Sequence, residues 1–151
     1  MILWNLVLAI HLLAMAAWVG GMAYTLLVLR PSLTVLDPAA RRALHGATGK
    51  KFFLIVWHAM PLMILTGWAM IFGVYGGFAH LPATVNIMNL LGLVMAVVFL
   101  ALFFGPWKAF RKAVGAEAAI EATGKMRKLI WVNLALGVVT VVVASLGHWG
   151  A

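Results

Sequence analysis

The chain has 151 residues, 66% of them hydrophobic and 9% charged, with a net charge of +8. Its mean hydropathy of +1.10 excludes an ordinary soluble domain, in which roughly a quarter of residues are charged. The basic excess follows from membrane topology, so no nucleic-acid partner is expected. With no cysteine, disulfides, thiolate metal sites and cysteine nucleophiles are excluded too.

All eleven Lys and Arg residues lie in two short windows. Arg30, Arg41, Arg42, Lys50 and Lys51 form the first; Lys108, Arg111, Lys112, Lys125, Arg127 and Lys128 form the second. The acids Asp37, Glu117 and Glu121 fall inside the same windows. Four apolar stretches remain, about 3–29, 52–78, 85–107 and 129–148, and each reaches the length of about 20 residues that a spanning helix needs. The expected fold is all-α: one integral-membrane domain over 1–151, an antiparallel four-helix bundle. Basic loops collect in the cytoplasm, so the expected orientation is N-out and C-out in a bacterial inner membrane, with the lipid bilayer as partner. The Met-Ile-Leu-Trp start has no basic n-region, which argues against a cleaved signal peptide.

The first stretch is expected to stop at Arg30-Pro31, and it carries the small-residue pairs Ala16/Gly20 and Ala17/Gly21. Such pairs let another helix approach, in this chain, a second copy or a larger membrane complex. Asp37-Pro38 reads as an N-cap followed by proline at the first helical position. It predicts a short interfacial helix over Ala39–Leu44, ending near Gly46 or Gly49. The second stretch contains Pro61, expected to bend it, and ends at Tyr75-Gly76-Gly77. The third closes at Gly105-Pro106-Trp107, and the second basic loop predicts an amphipathic helix with Glu117 and Glu121 at i, i+4. The fourth carries a stripe of Asn133, Gly137, Thr140, Ala144 and His148, expected to face the bundle axis.

His11 is the sharpest candidate for chemistry, roughly 9 Å inside the uncharged boundary at 1.5 Å per residue. An ionisable side chain at depth usually faces the bundle interior or a functional centre. His11 is therefore read as a ligand or proton-handling group, against the plainer alternative of a neutral imidazole bonded to a neighbouring helix. His58 is the second candidate, near Pro61 in the charged half; the two histidines stand at levels about 10–15 Å apart and form no single pair. At the level of His11 the other helices offer Trp68, Met70 and Met95. Met15 and Trp18 follow His11 on its own helix, while His80 and His148 sit at the uncharged end. Two cofactors fit. One is b-type haem, with His11 as axial ligand, with Met70, Met95, a displaced His148 or a histidine of a partner chain as second ligand, and with Trp18 or Trp68 packing on the macrocycle. The other is copper, through His11, Met15, His58, His80 and His148, since imidazole and thioether suit Cu(I). No carboxylate lies in any span and no Gly-rich phosphate loop is present, which excludes paired-acid hydrolysis, Ser-His-Asp chemistry and nucleotide binding.

The run His11-Leu-Leu-Ala-Met-Ala-Ala-Trp-Val-Gly-Gly, continuing to Arg30-Pro31, resembles the first helix of copper-resistance protein D (CopD) domains. Thr66-Gly67, and Arg127 with Asn133 and Gly137, resemble that family's second and last spans. The resemblance implies a four-helix unit tied to copper uptake across the inner membrane. A more distant similarity is to the HemJ-type protoporphyrinogen oxidases, which bind haem b through a histidine early in helix 1. That family uses a lysine in the third span, and this chain has none between Lys51 and Lys108. Oxidation of a porphyrinogen is accordingly not expected. Haem-based electron transfer, with a membrane oxidoreductase as the one enzyme class kept, stands first. Copper transport and a cofactor-free assembly subunit stand as alternatives.

Overall fold

The computed structural model describes residues 2–149, apart from the side chains of His80, His148 and Trp149. Four helices are long and apolar enough to cross a membrane. They are α1 (Ile2–Val35), α2 (Pro38–Val74), α3 (Ala83–Lys112) and α4 (Ala116–Trp149). The protein is an integral-membrane helical bundle, with antiparallel neighbours joined by short turns.

The helices run further into the charged windows than the sequence suggests. Asp37 does cap α2, its Oδ1 accepting from the amides of Ala39 at 2.9 Å and Ala40 at 3.0 Å, with Pro38 at the first position. There is no separate interfacial helix, however: α2 continues through Gly46, Gly49 and Pro61 without interruption. These glycines are packing positions rather than breaks. A Cβ at Gly49 would stand 2.6 Å from the Trp107 ring, and one at Gly46 would stand 3.7 Å from Phe110. The second loop helix likewise merges into α4, with only residues 113–115 separating it from α3 and Gly115 at φ +90°.

Pro31 and Pro106 are carried by widened π-helical turns, at Thr25–Leu29 and Phe103–Trp107. A proline lacks the amide hydrogen and collides with the carbonyl four residues back; a wider turn relieves both. The predicted stop at Tyr75-Gly76-Gly77 does occur. Gly76 and Gly77 take φ of +72° and +117°, and the Gly77 amide donates to the Ile71 carbonyl at 3.0 Å.

All charged residues gather at one end of the bundle, where arginines tie the two loops together. Arg30 donates to the Thr123 carbonyl at 2.9 Å, and Arg42 to those of Ala113 at 2.6 Å and Gly115 at 3.2 Å. Packing is pairwise, α1 on α2 and α3 on α4. In the charged half an aromatic wedge closes the space between the pairs. Phe53 lies 4.7 Å from Trp107 and 5.9 Å from Phe99 between ring centroids, and Trp57 lies 5.5 Å from Phe99. Glycines and methionines replace aromatics toward the uncharged end, and there the pairs enclose a cavity.

Of the small-residue pairs on α1, only Gly21 meets a neighbour, the Phe52 ring. Ala16, Ala17 and Gly20 are exposed, with nothing within 4 Å of a Cβ built on Gly20.

Candidate functional site

The cavity has a volume of about 300 Å³ and is bordered by all four helices. From α1 come Leu8, His11, Leu12, Met15 and Val19; from α2, Met63, Gly67, Trp68 and Met70, with Tyr75 just past its end. Helix α3 adds Met88, Asn89, Gly92 and Met95, and α4 adds Gly137, Thr140 and Ala144. His11 is the one imidazole among these residues, and five thioethers accompany it.

Three glycines leave the space that side chains would fill. A Cβ at Gly67 would come within 3.2 Å of His11 Cε1, one at Gly92 within 3.8 Å of Met63, and one at Gly137 within 2.8 Å of Val19. Near the uncharged rim, Trp68 Nε1 donates to Asn89 Oδ1 at 3.0 Å and links α2 to α3. The Thr140 hydroxyl donates to its own helix, at the Leu136 carbonyl.

The orientation of His11 is fixed across the α1–α2 contact. Its Nδ1 lies 3.0 Å from Thr66 Oγ1, and that hydroxyl lies 2.5 Å from the Leu62 carbonyl. The Thr66 hydroxyl has two carbonyls of its own helix in reach, Leu62 and, at 3.2 Å, Met63, so its single hydrogen is directed along α2. The hydroxyl must then accept from His11, which places the ring proton on Nδ1 and leaves the lone pair on Nε2. Among the described residues Nε2 has no hydrogen-bond partner, and it is not among the atoms sealed from open space. A ligating histidine ordinarily has this arrangement, one nitrogen anchored to protein and the other open.

Met15, Trp68, Met70 and Met95 are therefore brought together with His11, and the stripe on α4 faces inward at Asn133, Gly137 and Thr140. Two other predicted residues stand elsewhere. His58 is exposed on the outside of α2, with Nδ1 2.8 Å from the Leu54 carbonyl of its own helix. Its phase on α2 points it to lipid, away from the cavity. Trp18 is fully buried but lies below the cavity, edge-on to Phe99 at 6.0 Å. The side chains of His80 and His148 lie outside the described residues. Thr66, Met63 and Met88 were not singled out as site residues in the sequence. For Thr66 a signal existed in its place beside Gly67; the two methionines look like any apolar filler. Among the described residues no group of three or more His, Cys, Asp or Glu is placed to hold a metal ion. Any metal here would rest on His11 with thioethers or on a macrocycle.

No protein-family model matches the chain. No solved structure is similar to it either. An uncharacterized protein of Aquifex aeolicus (strain VF5) is 32% identical over 114 residues, which cover 75% of each chain. This membrane protein belongs to the same family as that Aquifex aeolicus protein.

Proposed function

We propose that the protein is a CopD-like metal-centre protein of a bacterial inner membrane that binds b-type haem for electron transfer. The charged end lies in the cytoplasm by the positive-inside rule, and the cavity then opens in the outer half of the bilayer. The observation that carries this reading is His11, whose Nδ1–H is committed to Thr66 while Nε2 is open beside an apolar cavity.

The residues present fit a haem. A cavity of about 300 Å³ is at the lower end for bound cofactors. Its walls are apolar, and Gly67, Gly92 and Gly137 keep it clear. His11 would hold the iron through Nε2, with Met95 or Met70 as the thioether candidate opposite and Trp68 against the macrocycle. Haem in such a site supplies one-electron redox chemistry, whose potential the axial ligands and the surrounding polarity set. The protein's own part is to anchor the imidazole through Thr66, exclude water with methionine and leucine walls, and keep carboxylates away.

Copper is the second reading, favoured by the five methionines that share the cavity with His11. Thioether and imidazole ligands suit Cu(I). Against a transport route stands His58, which faces outward; the inward imidazole of the charged half, His45, packs edge-on against Phe110 at 5.4 Å rather than beside a thioether-lined path. A fixed centre accords better with that than a path through the membrane.

The test is an optical spectrum of the protein purified from cells supplied with haem precursors. A Soret band that co-purifies with the protein is the expected result. A colourless protein that binds Cu(I) would replace haem by copper, and one that binds neither would leave the assembly role.

A further inference from the structure

Arg30 and Arg127 are brought together at the charged end of the seam between α1 and α4. Arg30 is half-buried and spends one N–H on the Thr123 carbonyl of α4 at 2.9 Å. Arg127 follows Thr123 by one turn on the same face, and its guanidinium stands close enough to that of Arg30 for the two charges to repel. The one ion pair among the described residues joins Lys125 to Glu121 at 2.7 Å, and Asp37 is engaged at the start of α2. Neither arginine therefore has a carboxylate partner among the described residues. Two neighbouring guanidiniums without a counter-ion, one of them half-buried, are a costly arrangement.

The seam has an inner and an outer side. The Arg30–Thr123 bond, and the 2.8 Å approach of a Cβ on Gly137 to Val19, set the register of the antiparallel pair and bring Leu27 level with Arg127. Leu26, Met126 and Ile130 fill the inner side and are buried. Leu27 is 60% and Trp131 47% exposed on the outer side, and Arg127 is exposed beside them. The outer side is thus basic at the charged end and apolar from there inward, with an indole one turn below the guanidinium. A membrane lipid presents phosphate and acyl chain in that order. Eleven Lys and Arg against three Asp and Glu favour an anionic headgroup over a zwitterionic one, whose ammonium would add to the excess.

We propose that Arg30 and Arg127 form the headgroup site for one anionic phospholipid, seated on the outer side of the α1–α4 seam. The phosphate accepts from both guanidiniums, whose planar forks suit its oxygens, and its charge cancels their repulsion. The acyl chains lie over Leu27 and Trp131. The site does not depend on what fills the cavity.

The test titrates the delipidated full-length protein, in a non-ionic detergent, with dioleoyl phosphatidylglycerol or dioleoyl phosphatidylcholine and counts bound lipids by native mass spectrometry. One phosphatidylglycerol should bind more tightly than any phosphatidylcholine. Arg127→Gln should weaken it by at least about fivefold, the effect of one basic residue at a lipid surface. Arg127→Lys, which keeps the charge and loses the fork, should fall between that variant and the wild type. Lys125→Gln, on another face of α4, should change little. Equal binding of the two lipids would overturn the proposal, as would equal losses in Arg127→Gln and Lys125→Gln, which mean diffuse attraction to the whole basic end. Displacement of the lipid by millimolar inorganic phosphate would overturn it too, since the site would then be one for free phosphate.

Discussion

His11 Nδ1 and Thr66 Oγ1 stand 3.0 Å apart across the contact between α1 and α2. With the Thr66 hydrogen directed along α2, this bond decides which ring nitrogen faces the cavity. A histidine of this kind is held in one tautomer before any ligand arrives, which lowers the cost of binding one.

Thr66→Val keeps the shape of the side chain and removes the acceptor. If Nε2 binds the iron, haem affinity should fall by ~10–100-fold, the usual effect of losing a partner to a ligating histidine. Thr66→Ser should retain most of it. Titration of haem into the apoprotein, followed by absorbance, measures both.

His58→Ala should leave that titration curve where it is. The ring is exposed and bonded to the Leu54 carbonyl of its own turn, so it contributes no ligand to the cavity. A large loss of affinity on this substitution would mean that α2 rotates in the functional protein.

Two glycines should respond in opposite ways to alanine. At Gly49 a Cβ would lie 2.6 Å from the Trp107 ring, which is itself wedged against Phe53 and Phe110. Overpacking of this sort costs about 1–3 kcal/mol. At Gly20 nothing lies within 4 Å, and Gly20→Ala should gain about 0.5–1 kcal/mol of helix propensity. Thermal unfolding in one detergent, monitored by circular dichroism, compares the pair.

Most of the architecture was legible because charge placement and hydrophobic length are strong signals in a membrane chain. The number of spans and the grouping of His11 with Trp68, Met70 and Met95 follow from counting depth along straight helices, whereas the helix ends do not: all four run into the charged windows and the second stops at Val74. Helical phase was the weaker inference. Depth alone gives His58 and Met22 equal standing, yet Met22 is buried at 1% exposure and His58 points outward. The glycines misled for a related reason. Gly46 and Gly49 read as stops in a sequence, whereas in the bundle they receive Phe110 and Trp107 from α3, a contact no local pattern reveals. Thr66 was visible only as part of a resemblance; its role depends on a partner 55 residues away.

The most direct measurement of the central claim is chemical rescue at His11. The protein is purified as His11→Gly, reconstituted with haem, and titrated with free imidazole while the Soret band is recorded. Nε2 ligation predicts that the variant lacks the wild-type spectrum and regains it as imidazole enters the space the side chain left. A His11→Gly protein whose spectrum equals that of the wild type before any imidazole is added would contradict the assignment.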